Sequence, residues 1–108
     1  MNLLKCIIRE EKLPDVLEKL SNIVPGLTVS EVRGYGRQRG HSAVYRGVEY
    51  VIDLVPKLMV EIVVENNRVD DVVKAVYDVA STGQIGDGRI FILPVEEAYH
   101  IRTGFMDR

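Results

Sequence analysis

Leu58-Met59-Val60-Glu61-Ile62-Val63-Val64 is followed, two residues on, by Asn67-Arg68-Val69-Asp70-Asp71-Val72-Val73-Lys74-Ala75-Val76. In the first run Leu58, Val60, Ile62 and Val64 alternate with Met59, Glu61 and Val63, which is the period of a β-strand. In the second, Val69, Val72, Val73, Val76 and Ala80 recur at helical spacing, and Asn67-Arg68-Val69-Asp70 reads as an N-cap with an acidic first turn. The chain thus switches from strand to helix within a few residues. A glycine-rich break over residues 82–88 then leads into a further strand at 89–95.

The same order recurs upstream. Residues 2–9 read as a strand, with Leu4, Cys6 and Ile8 on one face and Lys5 and Arg9 on the other. Residues 12–24 carry Leu13, Val16, Leu17, Leu20 and Val24 at helical spacing, with Pro14 suited to the first turn. Pro25-Gly26 stops that helix, and residues 27–35 form a second strand candidate. The order strand, helix, strand, long connection, strand, helix, strand predicts an α+β chain. Two βαβ units joined strand to strand give a ferredoxin-like βαββαβ sandwich with both helices on one sheet face. The other face is apolar enough to need a covering, and a second copy of the chain is the simplest one, so a homo-oligomer is expected.

At 108 residues the chain is expected to form a single domain, 1–108, that buries roughly two thirds of its unfolded surface. Such a domain has no room for a deep private cleft, so a ligand site is shallow or shared. No apolar run approaches the roughly 18 residues of a membrane span, and Met1-Asn2-Leu3-Leu4-Lys5 leads into a strand rather than a signal peptide, which predicts a cytoplasmic protein. The lone cysteine, Cys6, excludes an internal disulfide and reads as a buried structural thiol. The formal charge of −2 argues against direct nucleic-acid binding, yet it hides an asymmetry: residues 33–57 carry a net +3 and the remainder −5. A basic segment on an acidic body suits an anion site or a docking arm.

Three segments exceed what such a fold requires. Residues 37–56 make a connection of about 20 residues where two to five are usual, and they hold Tyr45, Arg46, Glu49 and Tyr50. This is a docking loop, a target for modification, or a plain insertion. Residues 82–89, Thr82-Gly83-Gln84-Ile85-Gly86-Asp87-Gly88-Arg89, place close glycines beside a cation, which lets backbone N–H groups approach an anion. They lack the Gly-Lys-Ser/Thr ending of a P-loop, and a tight turn capped by Asp87 accounts for the glycines as well. In the tail, His100-Ile101-Arg102-Thr103-Gly104 sets a cation beside a flexible residue; Arg102 either closes over a phosphate or is simply solvated.

Taken together, these segments carry a resemblance. The runs Thr28-Val29-Ser30-Glu31-Val32-Arg33-Gly34-Tyr35-Gly36-Arg37-Gln38-Arg39-Gly40-His41, Tyr45-Arg46-Gly47-Val48-Glu49-Tyr50, Pro56-Lys57, Thr82 to Phe91, and Ile101-Arg102-Thr103-Gly104 closely resemble the PII nitrogen-regulatory signalling proteins, in order and spacing, along the whole chain. The resemblance implies a homotrimer of ferredoxin-like subunits, not an enzyme, that binds ATP or ADP in clefts between neighbours. Residues 37–56 are then the T-loop, 82–89 the B-loop and 96–108 the C-loop.

By position, the resemblance implies that Gly86, Asp87, Gly88 and Arg89 hold the nucleotide phosphates, with Arg102 reaching them from the adjacent subunit. It implies that Thr28, Glu61 and Val63 line the adenine and ribose pocket, and that Gly34, Gly36, Arg37 and Gln38 follow the phosphates. Gln38 would complete the coordination of Mg²⁺, and 2-oxoglutarate would lie against Gln38, Arg39, Gly40 and Lys57. An amide oxygen suits a hard cation and a lysine suits a free carboxylate. Tyr50 matches the tyrosine that many relatives have uridylylated. The implied targets are an ammonium transporter, the glutamine synthetase system, nitrogenase regulators or gene regulators, with a membrane reached only through the transporter.

The chain departs from the pattern at Arg9-Glu10-Glu11, where relatives commonly have Lys-Pro-Phe, at His100 for an arginine and at Gln84 for a lysine. Against the family pattern, these changes weaken two basic phosphate contacts and place two acids near the expected effector site. Pro94-Val95-Glu96-Glu97-Ala98-Tyr99 is similar to the nitrogenase-regulating branch, whereas Tyr50 is similar to the general one. Two other readings differ in kind: a PII-like trimer that senses another small molecule or a metal, and a small phosphotransferase using His41 or His100. Neither histidine has an acid close in sequence to orient it.

Overall fold

A computed structural model describes residues 1–35, 42–45, 48–51 and 54–107. Strand β1 (Asn2–Ile8) runs through a short 3-10 turn (Glu10–Lys12) into helix α1 (Leu13–Leu20), which has Pro14 in its first turn. Strand β2 (Thr28–Gly34) follows. Beyond it come two short strands, β3 (Ser42–Tyr45) and β4 (Val48–Val51), then β5 (Val55–Val64), helix α2 (Val69–Ala80) and β6 (Arg89–Pro94). Among the described residues, four strands make one antiparallel sheet in the order β2-β5-β1-β6. Each βαβ unit is split by a strand of the other, as the ferredoxin-like reading requires.

Alternation along the strands sorts the sheet into two faces. Leu4, Cys6, Ile8, Leu58, Val60, Ile62 and Val64 are buried beneath the helices, against Val16 and Leu20 of α1 and Val72, Ala75, Val76 and Ala80 of α2. Burying one such aliphatic side chain contributes roughly 1.5–3 kcal/mol, so this layer holds the fold together. The thiol of Cys6 is fully buried and pushed up to about 11 by that burial, which leaves it unreactive. On the other face the registers place Leu3 between Val63 and Leu93, Lys5 between Glu61 and Phe91, and Ile7 between Met59 and Arg89. Phe91 is 45% exposed, Val63 42% and Leu93 41%, so this apolar face is open on the single chain.

Four details differ from the sequence reading. The connection at 37–56 holds two strands the sequence reading did not assign: β3 and β4 pair as a hairpin with Ala43 in register with Tyr50. Val44, Tyr45, Val48, Tyr50 and Val51 are strong strand formers around a two-residue link, which explains the pairing. Val55 and Pro56 belong to β5, paired with Gly34 and Arg33 at the end that runs past the last β1 partner, Leu58, where a proline's missing N–H is tolerated. Helix α1 ends at Leu20, although Ile23 and Val24 still donate to the Leu20 carbonyl, which is why the helical period reads on to residue 24. Asn67 is no N-cap. A 3-10 turn (Asn66–Arg68) leads into α2 without a side-chain cap, and Asn66 instead accepts from Asn2 at 2.6 Å.

Candidate functional site

The glycine turn joins α2 to β6 and is closed by one carboxylate. Asp87 Oδ2 accepts from the backbone N–H groups of Thr82 (2.7 Å) and Gly83 (2.9 Å), while its Oδ1 accepts from the Thr82 hydroxyl and from Arg9 Nε (3.1 Å). The Thr82 hydroxyl, then the Thr82 amide, then Arg9 and the Gly83 amide hold the Asp87 carboxyl far below the usual carboxylate range. The capped-turn reading of this segment is therefore correct as far as it goes, because Asp87 is engaged inside the turn. Gly83, Gly86 and Gly88 all have positive φ, at 81°, 103° and 105°. Gly88 has a second constraint: a Cβ there would sit 1.7 Å from the Ile7 carbonyl oxygen. Its smallness is required by the approach of β1, whatever the turn binds.

Two cations reach the turn from the sheet. Arg9, at the end of β1, also donates through Nη2 to the Ile85 carbonyl at 2.9 Å, and Lys57 of β5 donates to the Gly86 carbonyl. Lys57 is 8% exposed, and burial, followed by the charge of Arg9, lowers the pKa of its ammonium, while Glu11 and Asp87 act the other way. Gly34, Tyr35, Val55, Lys57, Gly86, Gly88 and Arg89 line an open groove of about 640 Å³. The structure thus brings together Gly34, Lys57 and the glycine turn, which lie far apart in sequence.

Other candidates lie elsewhere. Thr28 faces Glu61 across the β2–β5 ladder, and with Val63, Gly26, Leu27 and Asp107 they line a second depression of about 740 Å³. Thr28 and Gly34 stand at opposite ends of β2, about 20 Å apart at strand rise. Arg102 lines neither depression; it lies in an exposed tail loop, closed by a Tyr99–Met106 bridge and by hydrogen bonds from Gly104 N–H to the His100 carbonyl (2.7 Å) and from His100 N–H to that of Phe105 (3.0 Å). His100 does have an acid: its Nε2 is 3.1 Å from Asp107 Oδ1, a pairing the hairpin-like tail creates and sequence distance conceals. Gly36, Arg37, Gln38, Arg39, Gly40 and His41 lie outside the described residues, as does the side chain of Tyr50. Among the described residues no group of His, Cys, Asp and Glu is arranged to hold a metal ion, and no helix is long and apolar enough to cross a membrane.

Sequence reasoning set Arg9 on a strand face and noted it as a departure from a pattern, but gave it no role at the turn. Its signal was the strand alternation, which sets Arg9 on the side of Ile7, whose register partner Arg89 begins β6 beside the turn.

Comparison with known proteins adds to this geometry. A family described as nitrogen regulatory protein P-II matches residues 1–105. Proteins named nitrogen regulatory protein P-II from Pasteurella multocida, Microchaete diplosiphon and Azospirillum brasilense are 50%, 53% and 47% identical to this chain over 105 residues, covering 96% of it and 94% of each of them.

Proposed function

We propose that this chain, which belongs to the nitrogen regulatory protein P-II family, reads adenine nucleotide and 2-oxoglutarate together and passes the result to protein targets. The family is one of signalling proteins rather than enzymes, and the fold is the α+β ferredoxin-like one. The observation that carries the proposal is the convergence of the glycine turn, Arg89 and the ammonium of Lys57 on one groove beside Gly34, the last described strand residue before residues 36–41. Glycine-turn amides and Arg89 suit phosphates, and Lys57 suits a carboxylate.

The nucleotide phosphates lie against Gly86, Gly88 and Arg89, with Asp87 shaping the turn. Gly36, Arg37 and Gln38 are assigned to the same phosphates, and Arg102 reaches in from a neighbour. The base and ribose take the depression of Thr28, Glu61 and Val63. Because the two depressions lie at opposite ends of β2, they suit a site completed by an adjacent copy, and the open face of Phe91, Val63 and Leu93 suits burial in a trimer. Gln38 would offer its amide oxygen to the Mg²⁺ that accompanies ATP, and Gln38, Arg39, Gly40 and Lys57 would hold 2-oxoglutarate. The loop of residues 37–56, with Tyr50 as its candidate for uridylylation, docks cytoplasmic targets such as an ammonium transporter or regulators of glutamine synthetase or nitrogenase.

A cation shared by both ligands would couple them thermodynamically. Titration calorimetry should show 2-oxoglutarate binding with Mg-ATP at least tenfold more tightly than without it. Equal affinity in both titrations would leave the sensing of another small molecule or a metal as the better reading.

A further inference from the structure

Arg9 has no part in that reading, yet its side chain is only 15% exposed. Confining a guanidinium so closely costs rotamer freedom and hydration, and here both are offset by two acceptors on the same turn. Nε donates to Asp87 at 3.1 Å and Nη2 to the Ile85 carbonyl at 2.9 Å. These acceptors are two residues apart, and a rigid planar fork can serve both at once. One ammonium on a flexible stem presents no such fork.

The peptide groups that follow are oriented as a result. In a planar trans peptide the N–H points opposite to the C=O. With the Ile85 carbonyl held toward Arg9 and the Gly86 carbonyl held toward Lys57, the N–H groups of Gly86 and Asp87 are directed away from those cations. Asp87 in turn fixes the amides of Thr82 and Gly83. Positive φ at Gly86 and Gly88, on either side of Asp87, gives a turn whose N–H groups can line an anion-binding concavity.

We propose that Arg9 is a positioning residue for phosphate binding. From the end of β1 it locks the glycine turn in the conformation that presents its amides and Arg89 to the nucleotide, without contacting the nucleotide itself. The proposal rests on the reading that this turn takes phosphates. It differs from a simple cation contact in what a lysine can replace.

The test uses Arg9→Lys and Arg9→Ala in the full chain, read by amide hydrogen exchange without nucleotide and by ATP titration. Both variants should speed exchange at Thr82 and Gly83 by about tenfold, leave Val60 and Ile62 of the core unchanged, and weaken ATP by about tenfold. Combining Arg9→Ala with Asp87→Asn should weaken ATP less than the two separate losses together, since both cut one contact. Native-like ATP affinity in Arg9→Lys shows that charge alone suffices and overturns the proposal, as does unchanged exchange in both variants. A native chain that binds no ATP overturns the phosphate reading itself, a result distinct from normal ATP binding in the variants. If Arg9→Ala does not fold, Arg9→Lys and Asp87→Asn still decide the matter.

Discussion

The glycine turn of residues 82–88 and the tail of residues 96–107 each end a secondary-structure element, and each sits beside an arginine suited to phosphate, Arg89 or Arg102. They are held in opposite ways. The turn is fixed from outside itself, by Arg9 from β1, by Lys57 from β5 and by the backbone of Ile7 pressed against Gly88. The tail loop is fixed by its own short-range contacts, the Tyr99–Met106 bridge and the His100–Asp107 pair, and it leaves Ile101 and Phe105 exposed. The turn proposed to face phosphate is therefore held in place by the rest of the fold. Arg102 is carried on a loop whose fixed geometry is local.

Substituting matched glycines breaks this comparison most sharply. Gly88→Ala drives a methyl group into the Ile7 carbonyl at a φ of 105°, so thermal unfolding should show a loss of roughly 2–4 kcal/mol and ATP binding should disappear. Gly104→Ala in the tail meets open space at a φ of 73°; it should cost about 1 kcal/mol and keep ATP binding. Equal effects at the two positions would show that the turn is no more constrained than the tail.

Arg102→Ala separates binding from stability. Its exposed position predicts an unchanged melting temperature, while loss of a charged hydrogen bond to phosphate should weaken ATP by about tenfold. A drop in melting temperature instead would place Arg102 among the structural contacts.

The smallest effect is a response to acid. Asp87 titrates well below its unfolded range, so its stabilisation of the turn is complete above that range and is lost as pH falls toward the folded value. Amide exchange at Thr82 and Gly83, corrected for intrinsic rates, should be level from pH 8 to about 5 and rise only below about pH 4. A rise beginning near pH 6 would contradict the assignment of Asp87 as the group that closes the turn.

The sheet and helices were legible because Leu4-Cys6-Ile8 and Leu58-Val60-Ile62-Val64 state their faces in local alternation, and the stripe from Val69 to Ala80 states its own. The hairpin of β3 and β4 was hidden by polar neighbours that outweighed its strand formers. For the site, the glycines and Arg89 were visible as a pattern, and the resemblance named their roles. The Arg9–Asp87 contact joins residues 78 positions apart, and the strand register that creates it is written in no single window of sequence. His100 and Asp107 escaped notice for a smaller version of the same reason, since a tail that folds back on itself leaves no periodic trace.

The placement of Thr28 and Gly34 at opposite ends of β2 has a genetic consequence if neighbouring copies complete each site. A chain disabled at the Lys57 groove and a chain disabled at the Thr28 depression each fail alone. Co-assembled in one ring, they restore a working junction wherever the intact groove of one meets the intact depression of the other. Defects in the two patches are then mutually complementing, whereas two defects in the same patch are not.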